Sequence, residues 1–213
     1  MKYLKMSGLV AVAVMALALL GSGSASATVL CSENAVPCPE GKDYNAKTNV
    51  AATLEPKTSL FFKDTGGSTF DTCKGSRIEG ETETTGGVGK AVVVKLAQLS
   101  FSECTFPTFV RELGKLVIEY IGPETRGTFT VTNTKVTANT VLFGSCIYGV
   151  GEPAIDIGTA KGPVEETPAT LTVSAVVSKL EGGIACPSDI VWEASYYFTE
   201  PTPLYFKEKN AGE

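Results

Sequence analysis

Ile190-Val191-Trp192-Glu193-Ala194-Ser195-Tyr196-Tyr197-Phe198-Thr199 is the stretch on which the fold class turns. Trp192, Ala194, Tyr196 and Phe198 fall on one face, and Val191, Glu193, Ser195 and Tyr197 on the other. That period of two, in residues that suit a pleated surface, predicts a strand with one buried face. Working outward, the pattern recurs. Arg77, Glu79, Glu81 and Glu83 alternate with Ser76, Ile78, Gly80 and Thr82, giving one wet face and one buried face. Thr84-Thr85-Gly86-Gly87 then turns the chain into Lys90 to Leu96, a predicted hairpin. Leu116, Ile118 and Tyr120 alternate with Val117, Glu119 and Ile121, and Leu171, Val173, Ala175 and Val177 with Thr172, Ser174 and Val176.

Shorter strands are predicted at 49–54, 59–63, 127–132, 135–143, 154–157 and 204–207, punctuated by pairs such as Gly66-Gly67, Gly162-Pro163 and Gly182-Gly183. Only Arg111 to Lys115 has the look of a helical turn, and Gly114 weakens it. The expected fold is all-β: an antiparallel β-sandwich, or a flattened barrel, of roughly ten to twelve short strands stapled by disulfides. No shift in composition marks a linker, so residues 28–213 are expected to form a single domain.

The start of the chain predicts export. Lys2 and Lys5 precede the apolar run Gly8 to Leu20, and Ala25-Ser26-Ala27 supplies small residues for cleavage, which makes 1–27 a signal peptide. The run is shorter than the roughly 20 residues a membrane span needs, and no later stretch is longer. Without Lys2 and Lys5, the 18 basic residues fall to 16 against 23 acidic ones, a net charge of −7. Such a chain repels phosphate backbones, so nucleic acid is not an expected partner.

Cys31, Cys38, Cys73, Cys104, Cys146 and Cys186 all follow the signal. An even number in an exported chain predicts three disulfides. Six cysteines allow 15 connectivities, among which sequence does not choose; the sequential set Cys31–Cys38, Cys73–Cys104 and Cys146–Cys186 is adopted as the expectation. No C-x-x-C pair favours a metal or redox centre.

Catalytic options are few. The chain has no histidine, which removes imidazole catalysis and His-based metal sites. No Ser-x-x-Lys or Gly-x-Ser-x-Gly motif supports a serine nucleophile, and no glycine loop leads into a helix to cradle phosphate. Two carboxylates can hydrolyse a glycoside without histidine, and Glu193 and Glu119 are the best candidates. Glu79, Glu81 and Glu83, in line on one strand face, suit solvation better than calcium, whose ligands converge from a loop. Glu165-Glu166 reads as a polar loop. Trp192, Tyr196 and Phe198 read as core, leaving Tyr197 and Tyr205, with Glu193, as candidate surface contacts. No catalytic, cofactor or metal site is expected.

The order of several short motifs resembles a group of exported proteins of unknown function from soil bacteria with high-GC genomes. The pieces are Leu30-Cys31 to Cys38-Pro39, Thr72-Cys73-Lys74-Gly75-Ser76, Leu99 to Cys104, Ser145-Cys146-Ile147-Tyr148-Gly149, Pro168 to Leu171, Cys186-Pro187, Trp192 to Tyr196 and Pro201 to Tyr205. The resemblance implies a disulfide-tied all-β exported domain and carries no ligand or catalytic residue. The leading expectation is therefore a non-catalytic β-protein that binds or supports something at or outside the cell surface, with an extracellular protein or glycan as partner. The alternatives are a carbohydrate-binding module or carboxylate-dependent glycoside hydrolase, and a secreted inhibitor or effector presenting the Cys31–Cys38 loop.

Overall fold

The computed structural model describes residues 27–122, 125–140, 144–151, 154–164 and 167–209. Most of the expected signal peptide, Glu165-Glu166 and residues 141–143 of an expected strand lie outside them. The described residues are strands and turns without a helix, so none holds a helix long and apolar enough to cross a membrane. The strands are β1 (Thr28–Cys31), β2 (Asn49–Leu54), β3 (Leu60–Asp64), β4 (Thr69–Thr82), β5 (Val92–Cys104), β6 (Thr108–Glu112), β7 (Lys115–Tyr120), β8 (Arg126–Thr132), β9 (Thr134–Thr140), β10 (Gly144–Val150), β11 (Ile155–Lys161), β12 (Thr170–Glu181), β13 (Asp189–Glu200) and β14 (Tyr205–Glu208).

Twelve of these form one antiparallel sheet that closes on itself, because β2 and β3 both pair with β4 on one side and β13 on the other. Of the two arrangements the strand pattern left open, the barrel is the one adopted. The fourteen strands exceed the expected ten to twelve because four barrel positions are interrupted. β2 and β3 run in the same direction between β4 and β13, separated by the outward loop 55–59. In the same way β6 and β7, β8 and β9, and β10 and β11 share positions. With β4, β5, β12 and β13 unbroken, the barrel has eight staves in simple up-and-down order. Consecutive staves are neighbours, so short turns suffice, and closure leaves no open edge strand except where β5 and β6 face each other without a ladder.

Inward faces supply the core: Ile78 on β4, Ile118 on β7, Phe129 on β8, Leu171 and Val173 on β12, and Trp192, Ala194, Tyr196 and Phe198 on β13. This is the division of Ile190 to Thr199 that alternation predicts. Arg111 to Lys115, expected as a helical turn, is instead extended from β6 through Leu113-Gly114 into β7. A helix there would break stave pairing, and Gly114 is needed because a Cβ at that position would lie 1.6 Å from the Thr132 carbonyl oxygen.

One end of the barrel is plugged by a ribbon of β1 paired with β14, which joins the two ends of the described chain. Leu30 and Phe206 enter the core, and the Phe206 ring meets Phe129 and Phe198 at 5.7 and 5.9 Å. The Thr28 hydroxyl accepts the Tyr120 N–H at 2.8 Å, and its carbonyl accepts the Gly87 N–H at 3.0 Å. Gly86 adopts φ 77°, where any Cβ would sit 1.9 Å from that carbonyl oxygen. At the opposite end the buried Asp71 carboxylate accepts from the Thr108 hydroxyl and the Phe106 and Thr72 N–H groups, tying β4 to the β5–β6 turn.

The three disulfides are Cys31–Cys38, Cys73–Cys104 and Cys146–Cys186. Cys73 and Cys104 face each other across β4 and β5. Cys146–Cys186 fastens β10 to the turn between β12 and β13, and Cys31–Cys38 closes a loop over the outer face of the plug. Under that loop Lys207 is buried, its ammonium donating to Asn34 Oδ1 at 2.7 Å and lying 5.6 Å from the Tyr205 ring centre. Burial holds its pKa below the ordinary lysine value.

Two buried phenols set an alkaline limit. Burial pushes Tyr148 up to about 12. It pushes Tyr196 higher still, partly offset by hydrogen bonding to Ser76 and by the nearby Trp192. Above pH 10 the unfolded chain releases these protons while the folded chain keeps them, so stability is intact below about pH 10 and falls above it. The melting temperature is expected to hold to that point and then drop through pH 12, with these phenolates appearing only on unfolding. Ordinary titration of all tyrosines in the folded protein would contradict this.

Candidate functional site

The outer wall around β3, β13 and β12 is a small grid fixed by strand register. Lys63, Val191 and Val176 form one row, and Phe61, Glu193 and Ser174 the next. Ser195 and Thr172 stand opposite each other in the third. Where the chain leaves the barrel between β2 and β3, Thr58 and Ser59 raise one bank, leaving a groove of about 310 Å³ that Phe61, Thr172, Ser174, Glu193 and Ser195 help to line. That volume lies at the lower end of ligand-sized pockets.

Electrostatically the groove is balanced. Glu193 is half-buried and ion-paired with Lys63, and the Lys63 ammonium lies 5.4 Å from the Phe61 ring centre. A ligand meets hydroxyls, one aromatic ring and a neutral charge pair, a surface suited to an uncharged polyhydroxyl molecule rather than an ion. The hydroxyls continue around the wall, since Ser195 stands opposite Thr172, Thr172 opposite Thr159, and Thr159 opposite Thr128. Neighbouring staves place such groups about 4.8 Å apart.

The sequence candidates are distributed unequally over this surface. Glu193 lies in the groove, and Tyr197 is half-buried on the same outer face between Thr53 and Thr170. Tyr205 is elsewhere: it lines a cleft of about 390 Å³ at the plugged end, with Pro163, Pro168 and Pro203. Glu119 is exposed on β7, four staves from β13 in a barrel of eight, so Glu119 and Glu193 stand on opposite walls and face no common cleft. Sequence gave no means of seeing this, because each residue lies on the outer face of its own strand.

The acidic row of β4 and the residue that follows it is partly engaged, Glu79 by Arg77 and Glu83 by Lys115 at 2.7 Å. Asp71, Cys73 and Cys104 cluster closely enough to suggest a metal site. Both sulfurs are committed to a disulfide, so neither is a thiolate ligand. Phe61, Thr58 and Ser59 were missed as site residues because their meeting with β12 and β13 depends on barrel closure.

Set against models of known protein families, curated proteins and solved structures, the chain matches none.

Proposed function

We propose that this is an exported, non-catalytic β-barrel protein that binds a neutral glycan on its outer wall. The observation that carries the reading is the groove beside the β2–β3 interruption, where Phe61, the Glu193–Lys63 pair and a bank of Ser and Thr hydroxyls converge. Carboxylates accept hydrogen bonds from sugar hydroxyls, and the aromatic ring offers a flat apolar contact. Disulfide stapling supports work in an oxidising compartment.

Calorimetric titration with soluble cello-, chito- and xylo-oligosaccharides tests it. The wild-type protein is expected to bind at least one. Glu193→Gln and Phe61→Ala are each expected to weaken binding about tenfold, the loss of one charge-assisted hydrogen bond or one ring contact. Tyr205→Ala, in the separate cleft, is expected to leave it unchanged. Failure of every neutral glycan to bind, or equal binding by all variants, would remove the reading.

A further inference from the structure

One part of the barrel wall lacks a ladder. β5 is held to β7 as far as the pair Lys95 and Lys115, and the Leu96 N–H reaches the Gly114 carbonyl at 3.3 Å. Beyond that point β5 pairs only with β4, and β6 only with β9. Among the described residues no strand pairing joins β6 to the upper half of β5. The wall therefore has a window, closed at one end by the Leu96–Gly114 contact and at the other by the turn after Cys104.

Leu99 and Phe101, on the unladdered part of β5, line an apolar cavity of about 40 Å³ whose other walls include Phe62, Trp192, Val136 and Val177. Phe62 and Trp192 are buried, but Phe101 is only half-buried. Its ring stands edge-on to both, with centroids at 5.5 and 6.2 Å. Phe101 thus has solvent on one side and the cavity on the other. The void alone is well short of the roughly 150 Å³ that accommodates benzene. A phenyl ring is itself benzene-sized, so an outward turn of Phe101 would leave space for one ring in addition to the void. The void is large enough for a water, but its lining is almost wholly apolar and offers none of the hydrogen bonds that would hold one, so the side chains around it forgo dispersion contacts that an apolar guest would restore.

We propose that the barrel interior is a binding site for an uncharged apolar molecule of about one ring, with Phe101 as its gate through the β5–β6 window. The site is independent of the outer groove.

Trp192 is the chain's one tryptophan, so ¹⁵N-labelled protein shows a single indole N–H signal at the cavity wall. Titration with toluene is expected to shift it saturably with a Kd of about 1 mM, as befits a ligand of so few atoms. Phe101→Ala, with the gate already vacated, is expected to bind about tenfold tighter if the wild-type ring is outward in roughly one molecule in ten. Val136→Phe, filling the void from β9, is expected to abolish the shift; Val177→Phe does the same from β12 should the first variant not fold. Phe61→Ala is expected to leave the titration unchanged, which separates this site from the glycan groove. The proposal is overturned if wild-type protein shows no saturable shift up to the solubility limit of toluene, if only Phe101→Ala binds, or if a folded cavity-filled variant binds as the wild type does.

Discussion

Protein reduced in urea, alkylated and returned to buffer is expected to remain unfolded at 25 °C, whereas the oxidised protein refolds. The disulfides close loops with sequence separations of 7, 31 and 40. By chain entropy these are worth about 2.5, 3.7 and 3.9 kcal/mol, together about 10 kcal/mol. A domain's whole net stability is only about 5–15 kcal/mol. Reduction must be performed on opened molecules, because Cys31, Cys73 and Cys146 are fully buried. Paired Cys→Ser variants rank the contributions: loss of Cys146–Cys186 or Cys73–Cys104 is expected to lower stability more than loss of Cys31–Cys38. Circular dichroism reads the outcome, and a reduced, alkylated protein with native strand signal and a melting temperature within a few degrees of the oxidised form would refute the claim.

Trp192→Ala is expected to cost about 3–5 kcal/mol, the range for deleting a large buried aromatic side chain. Trp192 is 8% exposed and sits among Phe62, Phe101 and Tyr196, whose ring centres lie 6.2 to 6.4 Å away. The site cannot collapse readily, because Phe62 on β3 and Tyr196 on β13 are fixed by the ladders of those strands and an apolar cavity already adjoins it. The indole N–H adds little to oppose this: it lies near the Tyr196 hydroxyl without forming a hydrogen bond of normal geometry. Urea unfolding should show a lower midpoint at unchanged slope. A loss below about 1 kcal/mol would place the ring outside the core.

Strand identity and facing were largely legible. The expected strand 49–54 coincides with β2, and those at 59–63, 127–132 and 204–207 fall within one residue of β3, β8 and β14 at each end. β6, β10 and the outer halves of β4 and β5 were not legible. Cys, Gly and Ser in β4, β5 and β10, and a bulge in β6, interrupt their alternation, so burial there no longer follows a period of two throughout. The candidate site was legible in one residue, Glu193, since a carboxylate on an outer strand face is visible from alternation. Its partners Phe61, Lys63, Thr58 and Ser59 were not, because they lie about 130 residues away in sequence on a stave brought alongside only by closure.

What the sequence determined by itself was local: which residues pleat, which face of each strand is apolar, and that six cysteines would be consumed in pairs. Those properties depend on side-chain period and redox chemistry, and neither requires knowing a strand's neighbour. The tertiary structure alone decided that β13 meets β2 and β3, that four staves are each built from two strands, and that the two ends of the described chain pair into a plug. Backbone hydrogen bonding is the same for every strand edge, so the choice among partners falls to long-range packing of the buried faces, which no local pattern encodes.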